Sequence, residues 1–197
     1  GVLAVDAEEL SAADCYTLLA GAVVPRPIAW ISTLSATGVA NLAPFSFFSP
    51  LSSKPPRLGV TFDPLAERGT PKDTFANIVE TGEYVVNIAS YPLRDAVQLS
   101  SGEHDSYVDE FELTGVTAVP SDRVRPPRVK EVSVSMECEF EREIVLEERD
   151  ILVIGQVVRF HLGGPAFDAG TGRIDTGALD PLARIAGGYG QVKTAGD

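Results

Sequence analysis

The segment EVSVSMECEFEREIVL, residues 131–146, alternates between apolar and polar side chains. Its apolar positions are Val132, Val134, Met136, Cys138 and Phe140, and its polar positions are Ser133, Ser135, Glu137, Glu139 and Glu141. A period of two is typical of a β-strand that has one face on a core and the other in water, as in an antiparallel sheet or a barrel wall. Residues 148–162 repeat the pattern and are expected to pair with it. We therefore expect the polar set to be exposed.

Most of the remaining chain is predicted to form short strands joined by turns. Residues 26–45 indicate a β-hairpin whose turn contains Gly38, and residues 57–62 and 84–90 indicate further strands. Few helices separate these strands. A closed antiparallel barrel is therefore favoured over a doubly wound parallel sheet.

Two helices have clear boundary signals. Residues 11–21 begin with Ser11 as a capping residue. Residues 70–83 begin with Thr70 as the cap and Pro71 in the first position, and Gly82 is expected to end the helix.

Bulk composition narrows the function classes. The 197 residues fit one domain, and the net charge of −12 argues against nucleic acid or an anionic membrane surface as the main partner. No apolar run approaches the ~20 residues needed to span a bilayer, so we expect a cytoplasmic protein. Cys15 and Cys138 have no metal-ligand spacing, so we expect no metal site.

The familiar catalytic signatures are absent from the sequence. It contains no GxSxG elbow, no GxGxxG fingerprint and no P-loop. His161 is expected at the end of a strand, on its rim. His104 lies in a polar loop, and its role stays open, as does that of the wider 102–130 segment.

The stretch NLAPFSFFSPLSSKPPR, residues 41–57, contains too many prolines to be a helix. An extended, proline-stiffened backbone flanked by aromatic rings would suit a flat ring system. The backbone N–H groups of residues 43–47 could then reach the heteroatoms of that ring. Hydroxyl groups could bond a polyol chain or a phosphate, and they belong to Ser46, Ser49, Ser52 and Ser53. The alternative is a wide connection between strands that is packed by its own phenylalanines.

The start of the 70–83 helix offers a second candidate site. Lys72, Asp73 and Thr74 follow one another there. Backbone N–H groups, the Thr74 hydroxyl and the Lys72 ammonium could together bind a phosphate. The alternative is that Lys72 simply points into solvent.

Three segments taken in order resemble one protein family. They are RPIAWISTLSATGVANLAPFSFFSPLSSKPP, then KDTFANIVETGEYVVNI, and finally PLARIAGGYG. They are similar to flavin-reductase-like proteins with the FMN-binding split-barrel fold, a family that includes flavoredoxins and the reductase components of two-component monooxygenases. The resemblance implies a mainly β fold, a six-stranded antiparallel Greek-key barrel with a few short peripheral helices. It also implies a homodimer with FMN, rather than FAD, near the subunit interface.

The resemblance assigns site residues by position. Asn41, Ala43, Pro44, Phe45 and Ser46 would run beside the flavin ring. Three serines would bind the ribityl chain or the phosphate: Ser32, Ser52 and Ser53. Lys72, Asp73 and Thr74 would line the phosphate end, and Arg184 and Tyr189 would close over the flavin, with Arg184 favouring its reduced form. Trp30 is expected in the core.

The activity that the resemblance implies is hydride transfer from NADH or NADPH to bound FMN, and from there to a small or protein acceptor such as a monooxygenase. This chemistry requires no side-chain acid or base, so no catalytic residue is assigned. Two alternatives remain open: an FMN electron carrier that does not use nicotinamide efficiently, and a split-barrel binding module without flavin. We expect one domain over residues 1–197, with a helical extension at 1–22 and an irregular tail at 163–197.

Overall fold

The structure is a computed structural model, and it describes residues 1, 3–63, 72–147 and 150–193. Within these ranges, no helix is both long enough and apolar enough to cross a lipid bilayer.

Strands dominate the described chain. The helices are α1 Ala12–Ala22, α2 Asp73–Thr81, α3 Arg94–Leu99, α4 Glu110–Thr114 and α5 Thr176–Leu179, with short 3-10 helices at Ala7–Glu9, Tyr91–Leu93 and Gly164–Ala166. The strands are β1 Arg26–Pro27, β2 Ala29–Leu34, β3 Ala40–Phe45, β4 Phe48–Ser53, β5 Pro56–Phe62, β6 Glu83–Asn87, β7 Ala118–Val119, β8 Arg128–Val129, β9 Val134–Glu147, β10 Asp150–Leu162, β11 Phe167–Asp168, β12 Arg173–Ile174, β13 Leu182–Ile185 and β14 Gly188–Gln191.

The main sheet is antiparallel and strongly curved. Its strands have the order β3-β2-β6-β9-β10-β5-β4, so β3 and β4 are its two edges. In a flat sheet, edges six strand intervals apart would be separated by about 29 Å, at about 4.8 Å per interval. The chain nevertheless runs from Phe45 on one edge to Phe48 on the other in three residue steps, which span at most about 11 Å. The sheet must therefore curl, and the rings of Phe45 and Phe62 meet across the curl at 4.5 Å between centroids.

The sheet differs from the predicted one in strand number. Within the described residues it has seven strands, where six were expected. The additional strand is β4, which lies in the proline-rich stretch. Pro50 is compatible with this position because an edge strand has one side on which a missing N–H breaks no pairing. The mainly β character and the small number of helices are as predicted.

Local signals in the sequence place most of the elements. The hairpin β2–β3 forms around Gly38, which has a φ of 88°. Ser11 caps α1 by accepting a hydrogen bond from the Asp14 N–H at 3.1 Å. The helix α2 begins at Asp73 with Lys72 as its cap, and Gly82 ends it in the left-handed conformation. The expected cap Thr70 and Pro71 lie outside the described residues.

Two apolar clusters pack on the sheet. One contains Ile31, Val60 and Phe62, and the other contains Trp30, which is completely buried as predicted. The indole N–H of Trp30 donates to the Ser100 hydroxyl at 2.9 Å and so fixes the chain just after α3.

The C-terminal segment is more regular than expected. The strands β13 and β14 form a hairpin, and β1 pairs with β13 through Arg26 and Arg184. The sequence did not indicate this hairpin, because its glycines contribute no side chains to the alternation of apolar and polar residues that marks a strand.

The polar face of β9 is exposed only in part: Glu139 and Glu141 are exposed as predicted, but two other polar residues are not. Ser135 and Glu137 are buried, because the segment at residues 120–129 covers this face. The Glu137 carboxylate accepts hydrogen bonds from the N–H groups of Asp122 at 2.8 Å, Arg123 at 2.6 Å and Val124 at 3.0 Å. The expected rim residue His161 is half-buried and contacts the same carboxylate.

These contacts explain a cluster that has metal-binding residue types. Ligand atoms of Asp122, Glu137 and His161 lie within 4.8 Å of one another. The Glu137 oxygens, however, already accept three backbone hydrogen bonds, and Asp122 forms an ion pair with Arg159 at 2.7 Å. The cluster therefore holds the covering segment on the sheet.

Hydrogen bonding controls the charge state of Glu137. Burial by itself raises the pKa of its carboxyl group, but the hydrogen bonds from the three backbone N–H groups and His161 outweigh burial, and the pKa lies below its ordinary value. Such a group stabilises the fold above its unfolded pKa of about 4.3, and this stabilisation is lost as the pH falls through the lower folded value.

We expect Glu137→Ala to lower the free energy of unfolding by about 3 kcal/mol or more, because three backbone amides lose their acceptor at roughly 1–3 kcal/mol each. Urea denaturation at neutral pH measures this change, and the difference from wild type should shrink at acid pH. The matched control is Glu139→Ala, an exposed position on the same strand, which should change stability by less than about 0.5 kcal/mol. Equal losses in both variants would contradict the anchoring role.

Candidate functional site

Two neighbouring cavities lie where the chain leaves β3. Cavity 1 has a volume of about 580 Å³ and cavity 2 a volume of about 410 Å³. Four residues line both of them: Pro44, Phe45, Lys72 and Ser101. Because they share this wall, the two cavities form one cleft with two ends.

Cavity 1 is bounded by aromatic side chains from distant parts of the chain. Tyr16 from α1 stacks on Phe47, with ring centroids 5.9 Å apart and an interplanar angle of 18°. Elsewhere in the lining, the Arg184 guanidinium lies over the Tyr189 ring at 4.7 Å from its centroid. Burial raises the pKa of Tyr189, although the neighbouring Arg184 partly offsets this effect. The lining of cavity 1 therefore combines flat aromatic surfaces with the Arg184 guanidinium, and Lys72, Asp63 and Asp150 also belong to it.

The buried side chain of Arg26 holds the walls of cavity 1 together. It is only 4% exposed. Its guanidinium donates to the carbonyl oxygens of Ala20 in α1 and of Ala186 in the β13–β14 turn, the latter at 3.2 Å. Its Nε atom donates to the Ser46 hydroxyl at 3.4 Å. One side chain thus joins the helix, the exit of β3 and the C-terminal hairpin.

Cavity 2 is lined by a buried polar pair and by a loop. The Asn41 amide donates to the Thr74 hydroxyl at 2.8 Å, which ties β3 to the first turn of α2. Residues 100–106 form the opposite wall. Trp30 holds this loop at its start through the hydrogen bond to Ser100.

Among the described residues, cavity 2 is lined by more carboxyl groups than cavity 1, whose lining includes Asp63 and Asp150. Burial raises the pKa of Asp73. Burial also raises the pKa of Glu110, although the hydrogen bond from the Leu42 N–H and the nearby His104 oppose that effect. The Glu110 carboxylate accepts from the Leu42 N–H at 3.0 Å. Glu103 and Asp105 also line this cavity, so it is the more acidic end of the cleft.

Ten of the thirteen site residues expected from the sequence lie in this cleft. They are Asn41, Ala43, Pro44, Phe45, Ser46, Lys72, Asp73, Thr74, Arg184 and Tyr189. These residues come from three separate parts of the chain: residues 41–46, residues 72–74 and the hairpin β13–β14.

The three remaining serines do not line either cavity. Ser32 is completely buried, and its hydroxyl donates to the Pro127 carbonyl and accepts from Asn87 at 3.1 Å, so both of these hydrogen bonds are made within the fold. Ser52 and Ser53 lie on the exposed end of β4, and the Ser52 hydroxyl donates to the Pro55 carbonyl at 2.8 Å.

Sequence reasoning missed several residues of the cleft. Tyr16 carried a usable signal, because it is an aromatic residue on a short helix with few charges. Ser101 and His104 lie in a polar loop to which no role was assigned, and the structure places both beside cavity 2. Thr61 and Asp150 carried no signal, since only the sheet register brings them to cavity 1.

We expect Arg26→Ala to loosen the walls of cavity 1, because the carbonyl groups of Ala20 and Ala186 lose a charged donor, at about 1.5–3 kcal/mol per hydrogen bond. Hydrogen exchange followed by mass spectrometry should show exchange at least about tenfold faster in α1 and in the hairpin β13–β14. The exposed Arg142→Ala is the control. Unchanged protection in Arg26→Ala would exclude a role for Arg26 in joining these elements.

Comparison with known proteins relates this geometry to a family. The family model for the flavin reductase like domain matches residues 20–193. The uncharacterized protein YwrF of Bacillus subtilis is 39% identical over 188 residues, which cover 93% of this chain and 91% of that protein.

Two solved structures are similar over the whole chain. Nitrilotriacetate monooxygenase component B from Bacillus cereus has a TM-score of 0.90 at 32% identity, covering 100% of this chain and 98% of the other. A Shewanella frigidimarina protein with a split barrel domain has a TM-score of 0.83 at 23% identity, with the same coverage. The fold is thus that of the split-barrel proteins, and the resemblance seen in the sequence is confirmed: the chain belongs to the flavin reductase-like domain family.

Proposed function

We propose that this protein binds FMN in the cleft and transfers hydride from NADH or NADPH to it, and from the reduced flavin to an acceptor. Membership of the flavin reductase-like family supports a flavin-associated oxidoreductase role. The observation that carries the proposal is the meeting of ten expected site residues, from three parts of the chain, in a single cleft.

The wall shared by the two cavities fits a flat ring. Pro44 and Phe45 lie at the end of an edge strand and give it an apolar surface. Ser46 and the backbone of residues 43–47 can supply hydrogen bonds along one side of a ring. In this proposal Asn41 and Ala43 continue the same wall into cavity 2.

The start of α2 fits a phosphate. Lys72 is the capping residue, and its side chain makes no capping hydrogen bond. The first intrahelical bond there runs from the Ala76 N–H to the Lys72 carbonyl, so the N–H groups of Asp73 and Thr74 precede the intrahelical ladder. N–H groups that form no intrahelical bond, at the positive end of a nine-residue helix and beside an ammonium group, are suited to an anion. We place the FMN phosphate at Lys72, where the two cavities meet.

The remaining residues orient the cofactor and shield it. Bound FMN would supply the ring that accepts and releases the hydride. Arg184 and Tyr189 would cover it in cavity 1, and a fixed guanidinium there would favour the negative charge of the reduced form. Tyr16 and Phe47 would exclude water from the same end. No side-chain acid or base is needed for hydride transfer from the nicotinamide.

Several finer features belong to the same proposal. We propose a single domain over residues 1–197, FMN rather than FAD, a homodimer and a cytoplasmic location. A monooxygenase is a candidate acceptor protein, because the chain is 32% identical to nitrilotriacetate monooxygenase component B.

The proposal predicts that protein desalted after mixing with FMN keeps the visible flavin absorption band. Anaerobic addition of NADH or NADPH should then bleach that band, and the faster nucleotide identifies the donor. Retention without bleaching would favour an electron carrier. A protein that neither retains flavin nor reduces free FMN would contradict the proposed function.

The phosphate assignment predicts that Lys72→Met weakens FMN binding by about tenfold or more, since a hydrogen bond to a charged group contributes about 1.5–3 kcal/mol. Riboflavin lacks the phosphate, so its affinity should stay within about twofold. Fluorescence titration with both ligands measures the difference. The exposed Lys130→Met is the matched control. If both ligands weakened equally in Lys72→Met, the phosphate would lie elsewhere.

A further inference from the structure

We infer that α1 is a hinged cover over cavity 1, held closed by the stacking of Tyr16 on Phe47, and that its opening controls the entry and release of the flavin. This inference rests on the proposed function, because it concerns the route of the cofactor into and out of the same cleft. It adds to that function a residue, Tyr16, that decides how fast the flavin is released.

The N-terminal half of α1 forms part of the wall of cavity 1. Ala12, Ala13 and Tyr16 belong to the lining of this cavity. Residues spaced by one and by four positions lie within an arc of about 100° around a helix. One face of this half of α1 therefore borders the cavity.

The other end of α1 is fixed to the rest of the fold. The Arg26 guanidinium donates to the Ala20 carbonyl oxygen and, at 3.4 Å, to the Val23 carbonyl oxygen. Ala20 is also the one buried residue of α1, all of which the structure describes. Hydrogen bonds from a charged donor contribute more to stability than bonds between neutral groups. We call this anchored end the hinge.

The half of α1 that borders the cavity is much less buried than the hinge. Residues 11–14 and 16–19 are exposed, and Cys15 is half-buried. Segments that bury little surface open at a low cost in free energy, whereas core elements open only with the whole domain. A helix of 11 residues is also marginally stable when it packs on nothing. This half of α1 can therefore separate from the cavity while the rest of the fold stays intact.

A stacked aromatic pair holds the cover closed. The planes of the Tyr16 and Phe47 rings are 18° apart, with 5.9 Å between the centroids. Phe47 also lies below the Arg26 guanidinium, whose central carbon is 5.8 Å from the ring centroid. Because Arg26 anchors the hinge as well, one side chain contacts both the hinge and the ring on which Tyr16 packs. The position of Phe47 is therefore fixed relative to the hinge.

The stacked pair adjoins the segment proposed to carry the flavin ring. Phe47 directly follows Pro44, Phe45 and Ser46 in the sequence, and all four residues line cavity 1. In the proposed function the flavin ring rests against Pro44 and Phe45. A closed α1 would then retain the cofactor and exclude water, and an opened α1 would uncover the cavity.

A cover of this kind has a specific kinetic signature. If the flavin passes only through the open form, loss of the stacked pair raises the open fraction in the free and in the loaded protein. Association and dissociation then become faster by the same factor, and Kd is unchanged. A side chain that only contacted the flavin would change dissociation and Kd together. The energy of one aromatic pair corresponds to a factor of roughly 2–12 in the open fraction.

The first test uses Tyr16→Leu, which keeps an apolar side chain but removes the ring. Stopped-flow flavin fluorescence measures FMN association on mixing and dissociation on dilution of the loaded protein. Both rate constants should rise by about 2- to 12-fold, with Kd within about twofold of wild type. The matched control is Leu18→Ala, because Leu18 is exposed on the same helix and does not line cavity 1. Faster dissociation alone, or equal effects of both variants, would overturn the cover.

The second variant, Phe47→Leu, removes the pair from its other side. It should accelerate both steps by a similar factor. The double variant should be no faster than about the faster single variant, since one contact can be lost only once. Additive acceleration would show that the two rings act separately, and it would contradict the role of the pair.

Hydrogen exchange of the flavin-free protein separates this inference from the proposed function. In Tyr16→Leu the amides of residues 15–19 should exchange about 2- to 12-fold faster, because the released end of the helix frays. The hairpin β13–β14 should keep its protection, since Arg26 still donates to the Ala186 carbonyl oxygen. If the protein binds no flavin, the proposed function fails, whereas faster exchange in α1 still shows that Tyr16 holds the helix closed. Normal FMN binding with unchanged exchange in α1 would overturn the cover alone.

Discussion

A single buried guanidinium, that of Arg26, connects the parts of the chain on which the cleft depends. The side chain lies inside the protein without a carboxylate partner among its described contacts, and carbonyl oxygens and the Ser46 hydroxyl satisfy it instead. Burying a charge is costly unless hydrogen bonds replace its water shell. Because those bonds come from α1, from the exit of β3 and from the C-terminal hairpin, the charge is satisfied only when all three elements are in place. The order of the cleft and the burial of this charge are therefore coupled.

The second constraint is the curvature of the main sheet. Its two edges are consecutive in the sequence, so the sheet must curl until β3 and β4 approach each other. Phe45 then reaches Phe62 in the interior, while Pro44 and Phe47 remain at the mouth. The apolar clusters inside and outside the sheet stabilise the curl, and the cleft opens at the place where the edges meet. The curvature of the sheet therefore determines both the fold and the position of the cleft.

Much of this arrangement could be predicted where the cause is local. Gly38 marked a hairpin and Ser11 a helix start, because turns and caps depend on a few neighbouring residues. Residue chemistry alone indicated the proline-rich stretch and the start of α2 as candidate sites, whereas Arg184 and Tyr189 were assigned only through the family resemblance, which carries long-range information that periodicity does not contain. The predictions that were wrong concern residues whose surroundings depend on distant parts of the chain. Glu137 is buried by the segment at residues 120–129, whose position no local pattern reveals, and β4 was missed because its prolines argue against a strand until its edge position is known.

The prolines at the two edges have a further consequence for the architecture. Pro44 lies on β3 and Pro50 on β4, and neither has an amide hydrogen with which to join a ladder. Two edge strands that approach each other could otherwise form a hydrogen-bonded ladder and close the sheet into a continuous barrel. Each proline removes one donor that pairing of the edges could use, so the backbone chemistry disfavours closure along this seam. Among the described residues the two edges form no ladder with each other, and the sheet stays open on this side.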